Sequence, residues 1–260
     1  MCTGCLPISR RGVFAGLVGA AALAAAGCSE NADLGRSQLA LVDDAQLAQL
    51  ADQAWSEMTA RIAPVRDPDM QARLARLARP LAEAAGRPDL SWAFAVLDSP
   101  ELNAFVLPNG KVGVFRGLME FAQDDDELGS VIAHEVGHIV ARHPAERVSQ
   151  QLAVQAGVSI AQALLSGENG QNADALAGAL GLGAVYGVIL PFSRSHELEA
   201  DRVGVGLMAE AGMDPRGAVT FWQRMISRGD QAAKPPEALS THPADGRRLA
   251  ALESAVAAVG

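Results

Sequence analysis

Two histidines and a glutamate in the run SVIAHEVGHIVARH have the types and spacing that best suit chemistry. On an α-helix, His134 and His138 are four residues apart, so both imidazoles share a face and can reach one metal ion. Glu135 projects beside them, where its carboxylate can take a proton from metal-bound water. A single histidine on an apolar helix is usually a packed core residue. The complete H-E-x-x-H pattern on a predicted helix instead favours a zinc site.

A zinc site with two histidines needs a further protein ligand. Glu197 and Asp201 lie four residues apart in the later run FSRSHELEADR, on a predicted helix that ends at Gly212. Glu197 can complete a His-His-Glu set that leaves one position for water, and Asp201 can accept a hydrogen bond from a ligating imidazole. Spacing alone does not separate Glu197 from Glu199 as the ligand.

The elements just before the metal-binding helix are predicted to be a strand, a hairpin and a helix cap. Apolar residues alternate over 92–96, and residues 103–114 surround the turn Pro-Asn-Gly, a pattern typical of a β-hairpin. Four acids at 124–127 precede the apolar positions of the helix, which favours N-terminal capping over a calcium site. An edge strand beside a metal cleft can bind an extended peptide. A hairpin that only fills the core fits the pattern equally well.

The remaining segments are predicted to be mainly helical. Apolar residues recur at helical spacing over residues 38–62 and 68–85, which predicts two amphipathic scaffold helices. Residues 148–193 are rich in Ala, Gly and Leu. Their glycines and a proline favour a helical hairpin, as a cover over the cleft, rather than a membrane span. The chain is therefore predicted to be an α+β protein, mainly helical, with a small antiparallel β-sheet or hairpin beside the zinc helix.

The N-terminal residues predict export. Residues 1–27 combine an Arg-Arg pair, an apolar stretch and small residues before Cys28. The sequence AAGC resembles a bacterial lipobox, in which Cys28 is acylated; an ordinary cleaved signal peptide is the alternative. The run SRRGVF resembles a twin-arginine signal, so Sec and twin-arginine export both stay open. We expect a periplasmic protein anchored to the membrane by a lipid, in the outer membrane if the bacterium has one. Residues 28–36 would form a lipidated tether and residues 37–260 a single domain.

Composition narrows the function classes. With 260 residues and 49% hydrophobic content, the chain can bury a sizeable core. Its formal net charge is −9 and it has no basic patch, which argues against a nucleic-acid partner.

Three motifs, in this order, resemble the HtpX-like and CAAX-prenyl-protease-like family of gluzincin zinc metallopeptidases, peptidase family M48: SVIAHEVGHIVARH, FSRSHELEAD and LSTHP. The stretch NAFVLPNGKVGVFRGLM is similar to the family's hairpin before the zinc helix. The resemblance covers roughly residues 93–249 and implies a zincin-like fold. A leader that ends in a cysteine is similar to the family's periplasmic lipoprotein branch.

The resemblance also implies roles for individual residues. One zinc ion per chain would be bound by His134, His138 and Glu197. Glu197, rather than Glu199, matches the family's liganding glutamate. Glu135 matches the residue that acts as general base and general acid.

Three further residues match the family pattern or lie close to it. Asp201 matches the family's aspartate behind a ligating histidine. His242 lies in the LSTHP motif; it either approaches the zinc, as a transient ligand or an oxyanion donor, or caps a helix and tethers the tail. Arg194 either binds a substrate carbonyl or pairs with an acid.

The function that the resemblance implies is a zinc-dependent metalloendopeptidase of the cell envelope. It would hydrolyse peptide bonds in misfolded or damaged envelope or outer-membrane proteins, binding its protein or peptide substrates as an added strand. The alternative is a non-catalytic or latent envelope lipoprotein that acts as a binding or assembly factor. A protease for prenylated peptides ranks lower, since an exported lipoprotein would rarely meet such substrates.

Overall fold

Helices make up most of the computed structural model, which describes residues 28–31, 34–165, 190–231 and 246–260. The elements in chain order are β1 (Cys28–Asn31), β2 (Arg36–Leu39), α1 (Asp44–Arg61), α2 (Pro68–Ala84), β3 (Ala93–Leu97), β4 (Ala104–Val106), β5 (Lys111–Phe115), α3 (Arg116–Phe121), α4 (Asp125–Val140), α5 (His143–Leu165), α6 (Leu190–Glu210), α7 (Arg216–Gln231) and α8 (Gly246–Val259). The predicted α+β class is confirmed.

The sheet beside α4 has three strands in the order β3-β5-β4. Strands β4 and β5 form the predicted antiparallel hairpin, and Gly110 at its turn has a φ of 83°, a conformation that favours glycine. The prediction was an antiparallel sheet or hairpin. The sheet is instead mixed, because β5 lies between β4, which is antiparallel to it, and β3, which runs parallel to it.

Helix α4 lies at the centre of the fold and contacts α2, α6, α7 and β4. Asp124 caps its N-terminus by accepting a hydrogen bond from the Glu127 amide, which is the predicted capping. The helix buries apolar side chains in a single large core. Its fully buried members include Leu74, Leu81, Val96, Val112, Val114, Leu128, Ile132, Met208, Phe221 and Met225.

The segment predicted to be a tether is a docked hairpin. Strands β1 and β2 pair antiparallel, from Cys28 opposite Leu39 to Asn31 opposite Arg36. The side-chain amides of Asn31 and Gln38 both donate to the carbonyl of Ala141, at 3.2 and 2.6 Å, directly after the end of α4. These buried hydrogen bonds hold the hairpin against the domain. That residues 28–36 form a lipidated tether stays a prediction.

The two scaffold helices are present, but the first begins later than predicted. Gln38 belongs to β2, and α1 starts after Asp43, whose side chain accepts from the Gln46 amide. Helix α2 agrees with the predicted residues 68–85 and begins after its cap, Asp67. Residues 166–189, within the predicted helical hairpin, lie outside the described part of the chain. Among the described helices, none combines the length and apolar character needed to cross a bilayer.

Candidate metal centre

Two glycines allow the helices that carry the site to approach closely. A Cβ atom on Gly137 of α4 would lie 2.7 Å from the carbonyl oxygen of Ala200 in α6. A Cβ atom on Gly204 of α6 would lie 3.0 Å from the backbone of Ala133 in α4. This contact brings the side chain of Glu197 across to the histidines of α4.

The three predicted ligands lie together and are buried. The Nε2 atoms of His134 and His138 are 3.0 Å apart. The carboxylate of Glu197 lies 3.2 Å from the first of these atoms and 3.5 Å from the second. Ligand atoms at the corners of a tetrahedron with bonds of about 2.0–2.1 Å are about 3.3 Å apart. The donor set and its spacing therefore fit a zinc ion.

The charge of the site also favours a divalent cation. Glu135, Glu197 and Asp201 are buried carboxylates, and Arg248 is the buried cation beside them, so these four groups carry a formal charge of −2. Burial lowers the pKa of His134, but the carboxylates of Glu197 and Asp201 outweigh it and raise the pKa to about 9. The pocket thus stabilises positive charge at this imidazole, which a metal ion can supply.

His134 is oriented by a carboxylate and an arginine. Its Nδ1 lies 2.8 Å from the Oδ1 of Asp201, so the structure places the predicted aspartate behind this ligand. Arg248 of α8 donates to both oxygens of Asp201, at 2.6 and 2.8 Å, and to Glu197 at 2.9 Å. Its guanidinium lies 4.1 Å above the ring of Trp222. Arg248 was not predicted, because its distance along the chain from the motifs matches no metal-binding pattern.

His138 has a different set of neighbours. Its Nδ1 lies 2.8 Å from the Nδ1 of His143, whose Nε2 lies 3.0 Å from Glu199. His143 stacks on His196 with ring centroids 4.2 Å apart. Burial, with further contributions from His196 and Arg36, lowers the pKa of His143 to about 4, so this imidazole is neutral at pH 7. No motif in the sequence indicates that His143 and His196 lie behind a ligand.

A second carboxylate closes this cluster. Glu146 lies 3.2 Å from the Nε2 of His196 and 2.9 Å from the guanidinium of Arg36. Burial raises the pKa of Glu146, but the neighbouring His196 and the hydrogen bonds from Arg36 outweigh it and lower the pKa to about 2. Glu146 is therefore ionised at neutral pH.

A cleft of about 370 Å³ opens on the site. Glu135, His138 and Glu197 lie on one side of it, and strand β4 with the following residues 107–108 lies beside them. Strand β4 is an edge strand, so the structure places an edge strand beside the metal cleft, as predicted. Helix α1 and the start of α5 supply most of the remaining lining. Its apolar part includes Leu47, Leu50, Ala51, Ala54 and Val148, and its polar part is His143, Arg147 and His196.

The roles of the other two predicted residues stay open. Arg194 is exposed near the start of α6, and its role stays a prediction. His242 lies outside the described residues, so its two predicted roles also stay open.

Comparison with known proteins identifies the family. Residues 68–256 match the model of peptidase family M48. The chain belongs to peptidase family M48. This membership confirms the family predicted from the motifs. Zinc is the metal of M48 peptidases, which agrees with the ligand set of His134, His138 and Glu197.

Curated M48 relatives include mitochondrial and bacterial proteins. The mitochondrial metalloendopeptidase OMA1 of Schizosaccharomyces pombe is 39% identical over 180 residues, which cover 69% of this chain and 51% of the relative. The bovine metalloendopeptidase OMA1 is 36% identical over 65% of this chain and 33% of its own length. The beta-barrel assembly-enhancing protease of Escherichia coli K12 is 30% identical over 84% of this chain and 45% of the relative. The chain thus spans about half or less of each of these proteins.

Proposed function

We propose that this M48 chain is a zinc-dependent endopeptidase. The observation that carries the proposal is the buried set of His134, His138 and Glu197, whose ligand atoms all lie within 4.8 Å of one another, with Glu135 at the same cleft. Two of the relatives are metalloendopeptidases by name and a third is a protease.

The residues of the site divide the work of peptide hydrolysis. When bound, zinc supplies Lewis acidity, which lowers the pKa of water and polarises the scissile carbonyl. His134, His138 and Glu197 would hold the metal. The carboxylate of Glu135 takes the proton from the attacking water and delivers it to the leaving nitrogen. Asp201 holds the His134 ring with its Nδ1 proton directed away from the metal.

The cleft favours an extended peptide as substrate. Strand β4 can pair with a substrate strand through main-chain hydrogen bonds, and the apolar wall from α1 can receive an apolar side chain. A second hollow of about 470 Å³ shares Leu47, Pro108 and Pro144 with the cleft, so the two are adjacent. The combined groove has room for several residues on one side of the cleaved bond.

We further propose that the enzyme acts in the bacterial cell envelope, in quality control of misfolded or damaged envelope proteins. The export-type leader, the AAGC sequence before residue 29 and the likeness to the E. coli beta-barrel assembly-enhancing protease support this role. Because Cys28 begins β1, a lipid on this residue would place the docked hairpin directly at the membrane surface. Incorporation of labelled palmitate that is lost in Cys28→Ala tests the anchor, and a protein that takes up no label contradicts it.

Casein digestion with a zinc assay tests the enzyme against a non-catalytic binding factor. We expect one zinc per chain, cleavage of casein that a chelator stops, and a Glu135→Gln variant that keeps its zinc but loses about 10²–10⁴-fold in kcat/KM. A fully active Glu135→Gln protein would refute the mechanism. Zinc binding without cleavage of any substrate would favour the binding factor. Peptides trapped on Glu135→Gln and identified by mass spectrometry would then report the substrate class.

A further inference from the structure

The β1–β2 hairpin lies outside residues 68–256, which match the family, yet it contacts the C-terminal end of α4. Its two buried amides hold the carbonyl of Ala141, three residues after the ligand His138. The side chain of Arg36, in the same hairpin, reaches the polar residues behind this ligand and pairs with Glu146 and Glu199.

Arg36 joins two helices of the domain. Its guanidinium donates to both oxygens of Glu199 on α6, each at 2.7 Å, and to Glu146 on α5 at 2.9 and 3.3 Å. Bidentate pairs between arginine and carboxylate fix direction as well as distance. Glu199 is therefore held in one orientation by a residue of the hairpin.

Glu199 is also the far end of a hydrogen-bonded chain that leads to the metal site. A carboxylate only accepts, so the Nε2–H of His143 donates a hydrogen bond to Glu199, 3.0 Å away. With the ring proton of His143 on Nε2, its Nδ1 accepts, and the Nδ1 of His138, 2.8 Å away, donates to it. This tautomer leaves the lone pair of His138 on Nε2, the atom that faces His134 and Glu197.

We propose that Arg36 is a positioning residue for the ligand His138, acting through Glu199 and His143, so that docking of the β1–β2 hairpin strengthens metal binding. His134 receives the same support over a shorter path, from Asp201 and Arg248. The inference rests on the proposed zinc site, but not on which bond the enzyme cleaves. It adds a residue outside the family-matched region to those that determine zinc affinity.

The test compares Arg36→Met with a matched control, Arg73→Met. The two side chains are 29% and 30% exposed, and Arg73 pairs with Asp125 at 2.8 Å, at the opposite end of the same zinc helix. Zinc dissociation constants come from competition with a chelator, and the cobalt(II)-substituted proteins give visible spectra that report ligand geometry. We expect Arg36→Met to weaken zinc binding about 10–100-fold and to change the cobalt spectrum. Arg73→Met should do neither.

Two further variants separate positioning from loss of folding. Arg36→Lys keeps the charge without the bidentate fork, so its zinc affinity should lie between those of wild type and Arg36→Met. On a Glu199→Gln background, Arg36→Met should cause little further loss, because both changes interrupt one path. Equal zinc affinities and cobalt spectra for wild type, Arg36→Met and Arg73→Met overturn the role of Arg36 and leave the proposed enzyme intact. A wild-type chain that binds no zinc overturns both.

Discussion

Replacement of Arg248 by methionine tests the buried network behind His134. Arg248 is only 4% exposed and makes three hydrogen bonds of 2.6–2.9 Å to Asp201 and Glu197. Methionine keeps an unbranched stem but leaves both carboxylates without this cation. Loss of one partner of a buried ion pair costs about 3–5 kcal/mol, and a domain of this size loses about 2–4 °C in Tm per kcal/mol. We expect the Tm of Arg248→Met to fall by about 10 °C.

Two comparisons make the result specific to burial and geometry. Arg216→Met removes a similar bidentate pair, with Asp214 at 2.5 Å, from a side chain that is 78% exposed. Its Tm should barely change, because solvent screens exposed pairs. Arg248→Lys keeps the positive charge but not the planar guanidinium that binds both carboxylate oxygens, so its Tm should lie between those of wild type and Arg248→Met. If Arg248→Met unfolds no earlier than Arg216→Met, the reasoning about the buried network is wrong.

Two other features give measurable expectations. Gly117→Ala would place a Cβ atom 2.1 Å from the carbonyl oxygen of Pro100, so its free energy of unfolding in urea should be about 1–3 kcal/mol lower than that of wild type. In Gly206→Ala the new Cβ atom has no neighbour within 4 Å, so the free energy of unfolding should rise by about 0.5–1 kcal/mol. Equal effects of the two changes would contradict the close contact at Gly117. Glu146, with its pKa lowered to about 2, contributes stability above the ordinary carboxyl pKa and loses it as the pH falls towards 2. The free energies of unfolding of wild type and Glu146→Gln, measured with urea, should therefore differ at pH 6 and converge near pH 2. A difference that is constant with pH would contradict the contribution of the ionised Glu146 carboxylate.

Local patterns predicted the features that depend on neighbouring residues. The spacing of His134 and His138 within one helix and the cap at Asp124 depend on contacts within a turn or two. Glu197 could not be separated from Glu199 by spacing, because the choice depends on how α6 packs against α4. In the structure, Glu197 faces the histidines and Glu199 faces Arg36 and His143.

The residues that the sequence did not reveal act across long separations. Arg248 binds Asp201 from 47 residues away, and Arg36 binds Glu199 from 163 residues away. Neither pair leaves a periodic signal. The parallel pairing of β3 with β5 was missed for the same reason, since the turn at 108–110 determines only the antiparallel partner.

Helix α1 forms one wall of the cleft but is anchored by few buried contacts. Its buried residues are Leu47 and Ala51, and Leu47 belongs to a small cluster with Val42 and Ala145 that is separate from the main core. Local opening costs least where few apolar contacts are broken. Backbone amides of α1 should therefore exchange with deuterium sooner than those of α4. The groove can then widen while α4 and α6 stay folded, so we expect local opening of α1 to determine how bulky a chain the cleft admits.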